Sequence, residues 1–266
     1  MFMKKFELTS ETIINNGKTL YRIKALIDFS NIKAGELGGF VEKESNLYHK
    51  GNAWIYGNAK VSGDAKVSGN ACVSGNTCIS GNARVYGNAE VYGNACVSGN
   101  ARVYGNACVY GNAKVSVNAE VYGNSRVRGN ACVSGNARVY GNACVYGNAR
   151  VSVNAEIYGN SRVCGNALAS GNALVSGNAL VSGNALVSGN ALVSGSADYT
   201  TISGFGTRFR TTTFFKCSDK KIRVNCGCFY GTIDEFREQV NKTRTGKIAK
   251  EYLLIADLME EHFKED

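Results

Sequence analysis

Hydrophobic and polar residues follow one six-residue pattern through residues 51–194 of this chain. The unit reads Gly-Asn-Ala-x-Val-(Ser/Tyr), as in residues 81–86, and it repeats 24 times in succession. Ala and Val lie two positions apart, so a short strand places both on one face and residue x on the other. Gly and Asn tolerate positive φ, which a tight corner requires. Short strands joined by corners must coil, so the pattern predicts a β-solenoid.

The residue after each Val indicates how many strands make one coil. When the units are assigned in turn to three faces, one face carries Ser in every coil and another carries five consecutive Tyr. Residues 93–128 also recur almost unchanged as residues 129–164, an offset of 36. The pattern therefore predicts a triangular coil of 18 residues. Eight such coils, at a strand spacing of ~4.8 Å, give a rod about 40 Å long.

The unit resembles the hexapeptide repeat of left-handed parallel β-helices, whose coils also contain three six-residue units. The resemblance covers the middle of the chain and implies left-handed coiling, which is the exception among crossover connections. It also implies that Ala and Val point inward and that Asn side chains stack at the corners, where such ladders stabilise the rod. Spacing alone does not set the handedness.

The segments on either side of the repeat are not repetitive and predict caps, because an open solenoid exposes unpaired strands at both ends. In the N-terminal segment, two apolar runs at residues 5–14 and 18–29 flank Asn-Asn-Gly, which predicts a hairpin. Residues 34–41 then lead into the first coil.

The C-terminal segment predicts a small α+β head. Residues 210–216 are rich in β-branched and aromatic residues, and residues 221–229 are their expected hairpin partner. Thr232 begins a Thr-x-x-Glu capping box that opens a short helix. Apolar residues at helical spacing predict a second helix over residues 247–263. The chain is thus expected to be mainly β, with an N-terminal β-rich cap (1–50), a parallel β-helix (51–200) and a C-terminal α+β head (201–266).

The two ends carry a second resemblance. The segments that carry it are AGELGGFV before GNAWIYGNA, and RTTTFFK and VNCGCFYGTIDEF near the C-terminus. Together they are similar to an uncharacterised family of such repeat proteins in tailed phages and prophages of Gram-positive bacteria. The similarity extends over the entire chain. It implies a phage or prophage origin and a cytoplasmic setting in the infected cell, and it implies no established activity.

Composition narrows the class of protein. The chain has 266 residues and no run of ~18 apolar residues that could span a bilayer, so no membrane partner is expected. The N-terminus lacks the apolar core of a secretory signal. The ten Cys are therefore expected to be reduced thiols in the cytoplasm. A formal net charge of +9 mildly favours acidic partners.

Acyl transfer is the enzymatic alternative, because many rods of this kind are acyltransferases that use a His general base. No repeat unit contains His, since His49 and His262 both lie outside the array. The array also lacks the loop excursion that shapes an acyltransferase cleft. We therefore expect no catalytic residue and no cofactor.

The cysteines of the repeat array allow two interpretations. Duplication of a tolerated surface residue explains the seven array cysteines, and metal binding or redox sensing is the alternative. In the head, Cys217, Cys226 and Cys228 lack the spacing of a zinc site, so no metal is expected. The array cysteines, all in outward slots of the predicted coil, are Cys72, Cys78, Cys96, Cys108, Cys132, Cys144 and Cys164.

The tyrosine column and its neighbouring arginines are the candidate binding face. A structural ladder of packed rings explains aligned tyrosines. A stripe of aromatic and guanidinium groups also suits sugars, nucleic acid or a protein. Ten basic against five acidic residues in residues 51–200 is a modest excess for nucleic acid. The candidates are Arg84, Tyr86, Arg102, Tyr104, Tyr122, Arg138, Tyr140 and Tyr158.

The last repeat units place Leu in the outward slot on all three faces. An uncovered Leu side chain costs roughly 1.5–3 kcal/mol in water. The head, a second rod in a homodimer or homotrimer, or another partner is therefore expected to cover part of this surface. The predicted association surface consists of Leu168, Leu174, Leu180, Leu186 and Leu192.

Near-identical coils cannot each carry a different catalytic role. We therefore expect a non-enzymatic rod that spaces two caps and binds a macromolecule, with a protein such as a host factor as the first partner class. A virion component is a second structural interpretation. A third is a nucleotide-binding or other small-molecule protein acting through the head, because Arg208 and Arg210 in a basic loop at residues 204–210 suit an anionic ligand.

Overall fold

Parallel strands 18 residues apart build the repeat. In the computed structural model, which describes residues 3–264, Arg102 pairs in parallel with both Arg84 and Glu120. The other neighbouring strands of the array have the same offset, so the predicted three-sided coil of 18 residues is confirmed. The chain is mainly β, with a solenoid of about nine turns followed by a small region of sheet and helix.

Three parallel sheets form the sides of the solenoid. The serine face contains the strands Leu37–Val41, Lys60–Val61, Cys78–Ile79, Cys96–Val97, Lys114–Val115, Cys132–Val133, Arg150–Val151, Leu168–Ala169 and Leu186–Val187. The tyrosine face contains Lys66–Val67, Arg84–Val85, Arg102–Val103, Glu120–Val121, Arg138–Val139, Glu156–Ile157, Leu174–Val175 and Leu192–Val193. The third side, the mixed face, contains Trp54–Ile55, Cys72–Val73, Glu90–Val91, Cys108–Val109, Arg126–Val127, Cys144–Val145, Arg162–Val163 and Leu180–Val181.

Residues that precede the repeat add a turn to the eight predicted coils. Leu37–Val41 pairs in parallel with Lys60–Val61, and Leu47 forms a parallel bridge with Val67. These residues lack the six-residue pattern, but they extend two of the sheets. The solenoid therefore begins within the segment that the sequence assigns to the N-terminal cap.

The interior and the corners follow the predicted alternation. Ala101 and Val103 are completely buried, as are the equivalent residues of most coils. At the corner, Gly105 has a φ of 72°, and a Cβ there would lie 3.0 Å from the backbone nitrogen of the glycine in the next coil. Asn106 Nδ2 donates to Asn124 Oδ1 at 3.0 Å, one step of an Asn ladder. Core, corner and ladder therefore all propagate the same 18-residue step.

The N-terminal cap is a hairpin that extends the sheet of the serine face. Phe6–Asn15 and Lys18–Ala25 pair antiparallel, and the turn places Asn16 and Gly17 at φ values of 50° and 75°. Lys18–Ala25 then pairs with the first strand of the serine face. The hairpin predicted around Asn-Asn-Gly is confirmed.

Lys5 and Asn46 close the open end of the first coil. Within the array, each coil donates backbone N–H groups to alanine and glycine carbonyls of the next coil. On two faces the first coil lacks such a donor, and side chains replace it. Lys5 Nζ donates to Gly51 O at 3.2 Å and to Ala53 O at 2.8 Å. Asn46 Nδ2 bonds a glycine and an alanine carbonyl in the same way, at 3.0 and 2.8 Å, so otherwise unpaired backbone groups are satisfied.

Four antiparallel strands and two helices form the head. Thr232 Oγ1 accepts the N–H of Glu235, and Glu235 Oε2 accepts the N–H of Thr232, so the capping box is confirmed. Among residues 3–264, neither helix has the length and hydropathy needed to cross a bilayer. The strands are Tyr199–Phe205, Arg210–Lys216, Ile222–Cys226 and Phe229–Thr232, and the helices are α1, Ile233–Thr243, and α2, Gly246–His262.

The start of the head differs from the sequence prediction. Residues 204–210 are predicted as a loop. Instead, Tyr199–Phe205 forms a strand, and Phe205 pairs with Arg210 across a short hairpin turn. That strand crosses residue 200, the predicted end of the array. Residues 195–198, which include a short 3₁₀ helix at Ser196–Asp198, separate this strand from the last repeat unit.

The strand Arg210–Lys216 joins the head to the last coil. Its side chains alternate, so Phe215 packs into the solenoid core while Phe214 packs into the separate core of the head. Thr213 Oγ1 accepts the N–H of Leu186 at 3.0 Å, in place of the carbonyl that a further coil would supply. Both ends of the solenoid are thus closed by side-chain hydrogen bonds.

Candidate functional site

Five tyrosine rings form a continuous stack on the tyrosine face. The ring centroids of Tyr86 and Tyr104 are 4.9 Å apart, and the ring planes differ by 2°. Tyr122 lies 4.9 Å from Tyr104 and 5.0 Å from Tyr140, and Tyr158 follows at 5.1 Å. The predicted column is therefore a ladder. Because each inner ring is covered on both sides, the stack presents ring edges and hydroxyl groups rather than ring faces.

Carboxylates connect the arginines and tyrosines of this face at two levels. Glu120 Oε1 accepts from Arg102 Nη1 at 3.2 Å, and Glu120 Oε2 accepts from the Tyr104 hydroxyl at 3.4 Å. Two coils later, Glu156 makes the equivalent contacts at 3.3 and 3.1 Å. Burial, reinforced by the adjacent carboxylates, raises the pKa of Tyr104 and that of Tyr140 to about 12. Both hydroxyls therefore remain protonated donors at neutral pH.

The N-terminal part of the tyrosine face is a basic groove of about 610 Å³. Lys66, Arg84 and Arg102 line it, and both of its acids are paired. Asp64 forms an ion pair of 2.6 Å with Lys43, and Glu120 forms one of 3.2 Å with Arg102. Within residues 3–264, Lys66 and Arg84 have no carboxylate at ion-pair distance. The tyrosine face thus has an end with unpaired cations and a longer part in which Arg and Glu neutralise each other.

The five leucines lie on three faces, as predicted. Leu168 and Leu186 are neighbours on the serine face, Leu174 and Leu192 are neighbours on the tyrosine face, and Leu180 lies on the mixed face. Neighbouring leucines cover part of each other's surface, yet Leu180 and Leu192 remain 39% and 37% exposed. A partner for this association surface stays a prediction.

Six of the seven array cysteines are half-exposed on the outside of the solenoid. Cys164 is buried although it occupies an outward slot, and the Tyr146 hydroxyl of the preceding coil contacts its thiol. Burial, with a smaller contribution from the neighbouring Cys78 thiol, raises the pKa of Cys96 and so lowers its thiolate fraction. Within residues 3–264, all ten cysteines are free and no group of His, Cys, Asp and Glu is arranged for a metal ion.

The ring of His49 is held through both nitrogens in the N-terminal cap. Nδ1 accepts the backbone N–H of Lys5 at 3.2 Å, and Nε2 lies 2.7 Å from Glu44 Oε1. This pattern places the proton on Nε2 and occupies the lone pair of Nδ1. The ring also stacks on Phe6 at a centroid distance of 4.5 Å. Neither nitrogen is therefore available as a general base.

Arg208 and Arg210 lie in a cleft of the head, together with Arg244 from the junction of α1 and α2. Arg244 is not among the residues predicted from the sequence, although the basic segment NKTRTGK between two predicted helices is a usable signal.

A second tyrosine stack was also missed. Tyr92 and Tyr110 pack at 4.7 Å on the mixed face, and Arg128 lies 4.7 Å over the ring of Tyr146 on the same face. Assigning the repeat units to three faces places both pairs in one column, so this stack was predictable from the 18-residue step.

Comparison with known proteins supports the repeat architecture. The sequence matches the family model described as YdcK Beta solenoid repeat over residues 79–93, 95–111 and 101–117. These segments lie in the N-terminal half of the array and make up a small part of the chain. No curated protein matches the chain. The array is therefore similar to a β-solenoid repeat family, in agreement with its fold.

Proposed function

We propose that the chain is a non-enzymatic, rod-shaped scaffold that binds a protein partner through the tyrosine face. The observation that carries this proposal is the ladder from Tyr86 to Tyr158, a rigid row about 20 Å long at the spacing of parallel strands. Tyr and Arg are the residue types enriched at the centres of protein interfaces. Rings already fixed by stacking lose little further conformational entropy when a partner binds.

The stacking favours a protein over a nucleic acid. Proteins that bind single strands offer aromatic faces to bases, whereas the inner tyrosines cover one another's faces at about 5 Å. The carboxylates of Glu120 and Glu156 also interrupt the arginine column and would repel phosphates. A polar protein surface that carries both signs of charge complements this mixed column, with the tyrosine hydroxyls as additional donors.

We also propose that the rod has no enzymatic activity. Catalysis needs a group that can exchange a proton or attack a substrate. His49 has both nitrogens engaged, and burial raises the pKa of the Cys72, Cys96 and Cys108 thiols, which keeps them protonated. The rod is suited instead to presenting one surface at a set length.

The setting implied by the family resemblance completes the proposal. A phage- or prophage-encoded rod in the cytoplasm would act on a host factor, and its coils would be left-handed. The half-exposed Leu180 and Leu192 offer a second contact, through which two or three rods would associate.

Charge reversal at one exposed site tests the tyrosine face. Arg84→Glu changes an exposed, unpaired arginine in the basic groove, and Lys114→Glu makes the same reversal on the exposed part of the serine face. Each purified, tagged variant is incubated with a lysate of cells that naturally express the chain, and captured proteins are quantified by mass spectrometry. We expect one protein to be retained by wild type and Lys114→Glu and reduced about tenfold by Arg84→Glu.

Circular dichroism and thermal melting verify that both variants are folded. A captured protein whose retained amount is unchanged by both Arg84→Glu and Tyr104→Ala would contradict binding through the tyrosine face. Capture of nucleic acid in place of protein would contradict the assigned class of partner.

A further inference from the structure

Three turns that are distant in sequence form one cleft in the head. They are the hairpin turn that contains Arg208, the turn at Gly227, and the junction between α1 and α2 that contains Arg244. The cleft has a volume of about 560 Å³, which is in the size range of small-molecule sites. It is separate from the tyrosine face and independent of the function proposed for that face.

The arginines of the head divide into two groups by their partners. Arg223 is 2.6 Å from Asp219, and Arg237 contacts three carboxylates at 2.5 to 3.1 Å. Within residues 3–264, the other three arginines have no carboxylate at ion-pair distance, and no Asp or Glu lines the cleft. These three unpaired residues, all lining the cleft, are Arg208, Arg210 and Arg244.

Two of the guanidinium groups contact the turns that form the cleft. Arg210 Nη1 lies 2.8 Å from the position that a Cβ of residue 227 would occupy, so Gly227 makes room for the guanidinium. Gly227 also has a φ of 65°, a conformation that favours glycine. Arg244 Nη1 donates to Thr243 O at 2.9 Å. The cleft therefore concentrates positive charge without compensating acids.

We propose that this cleft binds a small phosphorylated ligand of nucleotide size. Guanidinium groups bind phosphate oxygens through paired, charge-assisted hydrogen bonds. The side chains of Ile248 and Tyr252 also line the cleft and offer apolar surface to the remainder of the ligand. The first turn of α2 lies at the same place, and Thr245 makes no side-chain capping bond there, so the positive helix end adds to the potential of the arginines.

Calorimetry on the full chain tests the site with four ribonucleoside monophosphates, inorganic phosphate and adenosine. We expect at least one nucleotide to bind with a Kd below about 1 mM and adenosine not to bind. Arg210→Gln and Arg244→Gln should each weaken nucleotide binding about tenfold. Arg150→Gln, which removes an exposed arginine from the serine face, is the matched control and should leave the affinity unchanged.

Nucleotide binding that depends on Arg210 and Arg244 but not on Arg150 supports the proposal. No nucleotide binding by the wild-type chain overturns it. Affinity that is equal in wild type and Arg210→Gln, in variants shown by circular dichroism to be folded, also overturns it, as does adenosine binding as tight as nucleotide binding.

Discussion

The tyrosine ladder predicts that an inner ring stabilises the solenoid more than a terminal ring does. Tyr122 and Tyr158 are a matched pair for this test. Each follows a Glu and a buried β-branched residue, and the backbone carbonyl of each accepts a hydrogen bond from a buried serine hydroxyl, at 2.8 and 2.7 Å. Tyr122 has stacked rings on both sides, whereas the described stack ends at Tyr158.

The expected magnitude follows from the number of stacked pairs. An aromatic pair contributes about 0.5–1.5 kcal/mol beyond the surface it buries. Tyr122→Ala removes two pairs and Tyr158→Ala removes one, and both remove the same side chain from a half-buried position. We therefore expect Tyr122→Ala to lower the free energy of unfolding by about 0.5–1.5 kcal/mol more than Tyr158→Ala.

Equilibrium urea denaturation, followed by far-UV circular dichroism, measures the two losses. Because long repeat arrays can unfold in more than one step, a second probe such as tyrosine fluorescence should give the same transition before the values are compared. The Tyr122→Phe and Tyr158→Phe variants keep the rings and serve as controls for the hydroxyl. Equal losses for the two alanine variants would refute the claim that ring stacking, rather than burial alone, stabilises this face.

Two further predictions concern the caps. Burial lowers the pKa of Lys5 from 10.5 to about 8, so the folded state disfavours its charge. The free-energy cost of burying the charged amine is complete below pH 8 and disappears as pH rises towards 10.5. The free energy of unfolding should therefore rise over this interval by about 1–3 kcal/mol relative to that of Lys5→Met. Parallel pH profiles for the two proteins would contradict this prediction. Thr213→Val should cost about 1–3 kcal/mol in urea denaturation, because the N–H of Leu186 loses its acceptor. The control Thr211→Val changes a residue on the same strand as Thr213, where it removes an exposed hydroxyl contact with Ser203 of the neighbouring strand. It should cost less than about 0.5 kcal/mol, and similar costs for both variants would argue against capping by Thr213.

The coil was predictable because its signals are local and repeated. Positions such as Ala101, Val103 and Gly105 recur at a constant interval, and each copy favours the same strand or corner. The tyrosine ladder follows directly, since residues one coil apart must lie above one another. The candidate site was predictable to the same extent, but the bridging of Arg102 and Tyr104 by Glu120 depends on side-chain conformations that spacing does not specify.

The ends of the solenoid were less predictable because their contacts join residues far apart in sequence. Nothing in the sequence around Lys5 indicates that its amine bonds the carbonyls of Gly51 and Ala53. The strand Tyr199–Phe205 likewise depends on pairing with Arg210–Lys216. Such pairings are selected by the shape of the assembled end rather than by local propensity.

The sequence by itself determined the three-sided coil, the inward and outward positions, and the alignment of equivalent residues in successive coils. The physical reason is that a strict repeat allows one geometry in which every unit pairs and packs in the same way. Tertiary structure decided how that repeat is closed and where unpaired charge collects. It also overrides local preference: Val117 and Val153 adopt φ values of 65° and 64° because the coils on either side hold those corners in the conformation that glycine adopts elsewhere. Arg208, Arg210 and Arg244 become one cluster only when the turns of the head converge.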